Sequence, residues 1–487
     1  MTNAYASFAR ATCSRALVAG LVLLANLGLF AGPVVSQQSF DEFIAVDAPI
    51  VALTNVRVID GTGTPARVGQ TIVIEDGRIA AIGPMEEMAG RIGRAEVVDL
   101  PGHTVIPGLV GMHDDSFYTG GNGRAAQLSF SGSRLYLASG VTTIRTTGAR
   151  APYEELNLKR AIDAGEMIGP SMYTTGPYLT GEQGSATMAH LDGPETARRL
   201  VRYWAEEGVS WIKAYTWISR EDLAAAIDEA HKHGVKFTAH LCSVGFREAV
   251  AAGIDNVEHG LLANSEYYSG KQPDECPAGF RNQYADLDID SEQVQATFRD
   301  MIENDVAMTS TLAVYEISVH GRGPIDERVY DILAPDIANE VREIANVVRG
   351  APLESGGGIR PEIYQKALEY EHAFVKAGGT LAAGVDPTGY GAAPPGFGDQ
   401  KNFELLLEAG FTVPEVIQIM TANGAKVLGG LDEFGTVEVG KMADLVVIEG
   451  NIEQDRHIQN TRIVFRHGVG WDSPKLIESV RGIVGIR

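Results

Sequence analysis

The most constraining feature of this 487-residue chain is the stretch TVIPGLVGMHDD at positions 104–115. Its β-branched and aliphatic residues predict a buried strand, which ends on the polar side chains His113, Asp114 and Asp115. A buried parallel strand that delivers polar groups at its carboxyl end is typical of the (β/α)8 barrel. The stretch therefore predicts an α/β fold in which imidazole and carboxylate groups converge at one end of the strands.

Strand-like and helix-like segments alternate through the middle of the chain, as a parallel α/β fold requires. Apolar strand-like runs lie at 141–145, 209–213, 235–240, 254–259 and 380–386. A doubly wound open sheet is the rival topology, but polar residues at the ends of many strands favour a closed barrel. We expect a (β/α)8 TIM-type barrel over residues 108–430.

Both ends of this α/β region are rich in short strands. Asp76-Gly77 separates two alternating apolar runs, which is a strong hairpin signal, and the same strand-rich pattern returns after Gly435. We expect one small β-sandwich domain built from residues 48–107 and 431–487.

The first 36 residues have the pattern of a secretory signal peptide. Arg10 and Arg15 precede an apolar segment at 16–31, and small residues follow it near Ser36. A lone membrane anchor is the alternative, since the segment approaches spanning length. Cleavage predicts a bacterial periplasmic or secreted protein without stable membrane insertion. In that oxidising compartment Cys242 and Cys276 either pair or remain two buried thiols.

The formal net charge of −23 argues against nucleic acid and anionic membranes as partners. We expect a small-molecule substrate instead. The candidate site residues each end an apolar strand-like run, so a barrel would bring them to one mouth; they are His113, Asp115, Lys213, His240, His259 and Asp386. One such residue alone is more often structural, but clustered His and Asp side chains suit a divalent metal.

Eight motifs along the chain resemble those of the amidohydrolase superfamily, in its imidazolonepropionase-like and Xaa-Pro dipeptidase-like branch. They are DGTG at 60–63, VIPGLVGMH at 105–113, GVTT at 140–143, IK at 212–213, AH at 239–240, VEHG at 257–260, GVD at 384–386 and GTVEVGKMADLVV at 435–447. The resemblance implies a (β/α)8 barrel with a companion β-sandwich, and it suggests a homo-oligomer.

The resemblance also implies a binuclear site that usually holds two zinc ions, with manganese or another divalent metal as alternatives. By position, His113 and Asp386 would bind the first metal and His240 and His259 the second. Lys213, carboxylated to N6-carboxylysine, would bridge the two.

Asp115 departs from this pattern, because the family has a second histidine where this chain has an aspartate. Aspartate can ligate zinc or manganese through oxygen, but it is shorter than histidine and adds negative charge. The first metal would then be retained by an oxygen-richer set, replaced by another metal, or lost.

The leading functional hypothesis is an exported metal-dependent amidohydrolase acting on a dipeptide or an N-acyl amino acid. Asp386 would take a proton from the attacking water and pass it to the leaving nitrogen. Tyr215 would bind the carbonyl oxygen or a substrate carboxylate, or it is a packed barrel aromatic. The alternatives are an esterase or lactonase on the same site, and a catalytically degenerate barrel that binds a ligand without turnover.

Overall fold

The computed structural model of the protein describes residues 40–120, 123–350 and 358–486. The predicted signal peptide at 1–36 lies outside these residues. Within the described chain, every helix is too short or too polar to cross a bilayer.

The described chain contains both β and α elements, numbered here in chain order. The strands are β1 Ile44–Val46, β2 Ile50–Val58, β3 Arg67–Glu75, β4 Arg78–Pro84, β5 Glu96–Asp99, β6 His103–Pro107, β7 Leu109–Gly111, β8 Phe117–Gly120, β9 Arg124–Gln127, β10 Val141–Arg145, β11 Ser171–Tyr173, β12 Thr175–Thr180, β13 Ala189–His190, β14 Trp211–Ala214, β15 Lys236–Ala239, β16 Asn256–Glu258, β17 Ala307–Ser310, β18 Leu381–Ala383, β19 Leu445–Glu449, β20 Thr461–Arg466 and β21 Val469–Asp472. The α-helices are α1 Met85–Met88, α2 Ser131–Ala138, α3 Pro152–Asp163, α4 Pro194–Glu207, α5 Arg220–Lys232, α6 Phe246–Ala251, α7 Glu292–Glu303, α8 Leu312–Glu316, α9 Glu327–Ile332, α10 Pro335–Gly350, α11 Pro361–Lys376, α12 Phe397–Glu408, α13 Val413–Met420, α14 Ala422–Leu428, α15 Ile452–Asp455 and α16 Ser473–Glu478.

Strands from both terminal segments pair in one nine-stranded sheet. Its order is β1-β21-β20-β19-β6-β2-β3-β4, with β5 paired to β2. The join is the antiparallel pair β6–β19, in which Val105 lies opposite Val447. Apolar side chains of both segments share one buried cluster. A division of this sheet into two facing sandwich layers stays a prediction.

The hairpin between β3 and β4 forms at Asp76-Gly77. Both residues have positive φ, +50° and +75°, which is the backbone of a type I′ turn. That turn fits the right-handed twist of the paired strands, so the sequence signal had a direct structural cause.

The parallel strands between the two terminal segments confirm the α/β class. They form a three-stranded sheet, β11-β10-β7, and a seven-stranded sheet, β13-β12-β14-β15-β16-β17-β18. Backbone hydrogen bonds connect the two sheets at both sides: Met112 N–H donates to Ala383 O at 2.8 Å, and Ala149 N–H donates to Gly176 O at 3.0 Å. Strand pairing alone gives two sheets, so the single closed barrel stays a prediction.

Two long connections follow late parallel strands. The connection after β17 contains two separate helices, α9 and α10, because Pro335 lacks a backbone donor and restricts the residue before it. In the other connection, Cys276 forms a disulfide with Cys242, which decides between the two states that the sequence left open.

Removal of the disulfide tests how much it stabilises the fold. Cys242 and Cys276 are 34 residues apart, and closing a loop of that length in the unfolded chain stabilises the folded state by about 4 kcal/mol. The double variant Cys242→Ala/Cys276→Ala should lose that amount in urea unfolding. Reductant should destabilise the unsubstituted protein similarly and leave the variant unchanged.

Candidate metal centre

The strand ends place the predicted residues at one mouth. His113 follows β7, Lys213 lies within β14, His240 follows β15 and His259 follows β16. His259 and Asp386 have φ values of +70° and +50°, in the left-handed region that non-glycine residues rarely adopt. Such strain costs of the order of 1–3 kcal/mol and concentrates at functional sites.

His113, His259 and Asp386 form a compact buried group. One potential ligand atom from each lies within 4.8 Å of the others. Asp386 Oδ2 is 3.8 Å from His113 Nε2 and 3.8 Å from His259 Nε2. His259 Nε2 is buried and has no hydrogen-bond partner in the described chain, although its Nδ1 contacts Thr311 Oγ1 at 2.6 Å. A cation bound by these groups would provide a partner for His259 Nε2, so the three residues fit a divalent metal.

Lys213 and His240 border this group. Lys213 Nζ is 3.1 Å from His113 Nε2 and is buried, and burial lowers the pKa of its amine. The imidazole centre of His240 is 4.1 Å from that of His259. Burial, helped by the nearby Lys213 charge, holds the pKa of His240 well below its usual range. Burial likewise lowers the pKa of His259, and both shifts favour the neutral imidazole that metal ligation requires.

Asp115 is placed differently from the other predicted ligands. Its Oδ1 accepts the backbone N–H of Thr147 at 2.8 Å, and its Oδ2 accepts the Tyr178 hydroxyl at 3.4 Å. It lies outside the compact three-residue group, although its charge acts on Lys213. Complete burial raises the pKa of its carboxyl to about 6, despite the opposing effect of His113.

Tyr215 lies beside this group and packs edge-on against two rings. Its ring centre is 4.9 Å from that of His240 and 5.4 Å from that of Tyr178. Burial raises the pKa of the Tyr215 hydroxyl to about 12, so it stays a hydrogen-bond donor at neutral pH.

Glu258 is the residue that sequence reasoning missed. Its Oε2 is 2.9 Å from His113 Nδ1, and its Oε1 is 2.5 Å from Arg145 Nη2. Burial alone would raise the pKa of Glu258, but Arg145 and His113 lower it to about 2. The carboxylate fixes the imidazole so that Nε2 faces Asp386, which is the usual task of a partner behind a metal-binding histidine.

The only sequence signal for Glu258 is its place between Val257 and His259. Neighbouring residues in a strand normally face opposite sides. If the His259 side chain points into the site, the Glu258 side chain is therefore expected to point away from it. The left-handed backbone at His259 breaks this alternation, and both side chains reach the same centre. Arg145, the last residue of β10, is the buried partner of Glu258.

The group opens into a cavity of about 480 Å³. Its walls include five of the candidate residues, three further aromatic rings and two arginines: His113, Lys213, Tyr215, His240, Asp386, Phe117, Tyr178, Tyr315, Arg150 and Arg281. A cavity of this size accommodates a small-molecule ligand.

Comparison with known proteins assigns the chain to a family. The model of the amidohydrolase family matches residues 104–304 and 375–469, which is more than half of the chain. The chain therefore belongs to the amidohydrolase family, and the resemblance inferred from its motifs is confirmed.

Individual relatives are more distant. An enamidase of Eubacterium barkeri is 31% identical over 185 residues, a match that covers 36% of this chain and 45% of that protein. An imidazolonepropionase of a Geobacillus species is 24% identical and covers 82% of this chain and 90% of the relative. Among solved structures, a Xaa-Pro dipeptidase with bound methionine is 20% identical with a TM-score of 0.63, covering 87% of this chain and all of that one.

Replacement of Glu258 tests its role behind His113. Glu258→Gln leaves Arg145 buried without a counter-charge and weakens the hold on His113 Nδ1. We expect a loss of about 3 kcal/mol in unfolding free energy and a 10- to 100-fold weaker zinc affinity. Urea unfolding of the metal-free protein and competitive zinc titration measure the two effects. The exposed carboxylate Glu292, changed to Gln, should alter neither.

A second buried carboxyl, Glu371, predicts how stability depends on pH. Burial raises the pKa of Glu371 from 4.5 to about 8, although it accepts the hydroxyl of Ser310 at 2.7 Å. Between these values the folded state holds a proton that the unfolded state releases, so unfolding free energy falls as pH rises. Glu371→Gln should flatten the urea-midpoint profile across this window. Glu369→Gln, partly exposed on the same helix, should leave the profile unchanged.

Proposed function

We propose that this protein is a metal-dependent hydrolase of an amide or peptide-like C–N bond. The observation that carries the proposal is the buried group of His113, His259 and Asp386. Membership of the amidohydrolase family supports it, as do the names of the enamidase and the Xaa-Pro dipeptidase that the chain resembles.

The metal would be held by His113, His259 and Asp386, with His240 and Lys213 beside them. When bound, a divalent ion such as zinc polarises the scissile carbonyl and lowers the pKa of water. We further propose two zinc ions, bridged by N6-carboxylysine at Lys213. The lowered pKa of Lys213 supports this, because a neutral amine is the form that adds to carbon dioxide.

Asp386 would move the proton of the reaction. Its Oδ1 accepts the Thr388 hydroxyl at 2.8 Å, which orients the carboxylate and leaves Oδ2 toward the two histidines. As the water oxygen bonds to the carbonyl carbon, Asp386 accepts the water proton. It then donates that proton to the nitrogen as the C–N bond breaks, releasing an amine and a carboxylic acid. Tyr215 would donate a hydrogen bond from its hydroxyl to the carbonyl oxygen or to a substrate carboxylate.

The finer structural hypotheses rest on separate observations. The hydrogen bonds at Met112 and Ala149 support a single (β/α)8 barrel at 108–430, beside a β domain from 48–107 and 431–487. The Cys242–Cys276 disulfide supports export to the periplasm or the medium, where disulfides persist. Association into a homo-oligomer stays a prediction.

One observation favours a second candidate, a degenerate barrel that binds without turnover. Asp115 uses its carboxylate on the Thr147 amide and Tyr178 instead of joining the three-residue group. An esterase or lactonase activity has no such separate support and would use the same residues.

Metal content and an Asp386 variant together test the proposal. The purified protein should contain one to two zinc or manganese ions per chain, and chelation should abolish hydrolysis of dipeptides or N-acyl amino acids. Asp386→Asn should lower kcat by at least about 100-fold, because it removes the proton acceptor. The exposed Asp432→Asn should keep full activity.

The outcomes separate the two candidates. Restoration of activity by zinc after chelation supports the hydrolase. A chain that takes up no metal even when zinc is offered in excess overturns it and favours the degenerate barrel. Activity that survives Asp386→Asn would contradict the assigned proton transfer.

A further inference from the structure

Six rings form a continuous aromatic row through the candidate site. The successive ring centres are 4.1–6.4 Å apart, and the row runs Phe117, Tyr178, Tyr215, His240, His259 and Tyr315. The two histidines of the candidate metal centre lie inside the row and not at its ends. A substrate whose scissile carbonyl lies beside them therefore has ring surface on both of its halves.

An arginine stands at each end of this row. Arg150 Cζ lies 5.1 Å from the ring centre of Phe117, and Arg281 Cζ lies 5.8 Å from that of Tyr315. Both arginines line the cavity. A guanidinium at this distance is attracted to the face of the ring, and its N–H groups can still bind a ligand.

Within the described residues, the side-chain hydrogen bonds of the two arginines go to a threonine hydroxyl and a backbone carbonyl, and neither goes to a carboxylate. Arg150 Nε is buried and donates to no acceptor among the described residues. Its Nη1 makes only a long contact of 3.5 Å with Thr187 Oγ1. Arg281 Nε donates to Leu262 O at 2.5 Å, while no acceptor contacts its two terminal nitrogens in that part of the chain. In a chain of net charge −23, two uncompensated arginines in one cavity are a specific attraction for anions.

We infer that Arg150 and Arg281 are specificity-determining residues for a dicarboxylate substrate, an amide that carries one carboxylate on its acyl half and one on its amine half. The inference rests on the proposed hydrolase function and names its substrate class. Guanidinium groups recognise carboxylates through paired N–H bonds, and each arginine is placed to take one. The aromatic row favours an apolar or aromatic body between the two charges.

Three matched amides test the inference. N-succinyl-L-phenylalanine has both carboxylates, N-butyryl-L-phenylalanine lacks the acyl one, and N-succinyl-phenethylamine lacks the amine one. The unsubstituted protein should hydrolyse the dicarboxylate with kcat/KM about 10- to 100-fold above either of the others, the ratio expected for one charge-assisted pair.

The arginine variants assign the two carboxylates. Arg150→Gln and Arg281→Gln should each abolish the preference for one carboxylate, a different one in each variant, and preserve the other. Arg299→Gln removes the same charge outside the cavity and should keep both preferences. Equal kcat/KM for all three amides in the unsubstituted protein, or preferences unchanged by both cavity variants, would overturn the inference.

A binding measurement separates this inference from the proposed hydrolase function. The ketone isostere of N-succinyl-L-phenylalanine, with CH2 in place of the amide nitrogen, cannot be hydrolysed at that bond. Calorimetry should show binding that weakens 10-fold or more in each cavity variant and not in Arg299→Gln. If none of the amides is hydrolysed but this pattern holds, the hydrolase proposal fails and the dicarboxylate site stands. No binding of the isostere overturns the site.

Discussion

The candidate centre depends on a buried carboxylate that offers no ligand atom itself. Glu258 joins the Arg145 guanidinium on one side to the His113 imidazole on the other, and all three side chains are almost completely buried. A charge so deep in the protein persists only when it is paired and hydrogen-bonded. The Arg145–Glu258 pair therefore connects strand β10 to strand β16. The contact of Glu258 with His113 orients this imidazole, which lies two residues after β7. The position of the predicted ligand nitrogen follows from this contact.

Electrostatic balance explains how so many ionisable groups share one mouth. Burial keeps His240 and His259 neutral, and it favours the protonated form of the Asp115 carboxyl more than in water. The remaining negative charge of Glu258 is offset by Arg145. A dication near the histidines would lie beside the Asp386 carboxylate, whose Oδ2 is 3.8 Å from both His113 Nε2 and His259 Nε2. Asp115 is held in place by the Thr147 backbone amide, which donates to its Oδ1 at 2.8 Å.

The sequence predicted the chemistry of the strand ends better than their detailed geometry. Hydrophobic runs that end on His or Asp indicate both a parallel α/β fold and a convergent site, because parallel strands all end at the same edge. The sequence also predicted the hairpin at Asp76-Gly77, because the conformation of a tight turn depends on the residues within it. Glu258 was not, because strand alternation places it outward and only the backbone of His259 reverses that expectation. The hydrogen bond between Thr147 and Asp115 joins residues that are 32 positions apart, so local sequence patterns do not predict it.

The disulfide has a consequence for the unfolded chain as well as for the folded one. It closes a ring of backbone that begins two residues after His240 and contains His259. In an oxidised chain that has lost its tertiary structure, these two imidazoles remain tethered at a high effective concentration. Arg281 follows Cys276 by five residues, so it also stays close to the disulfide along the chain. The covalent link thus lies in one segment that also carries two candidate metal ligands and Arg281.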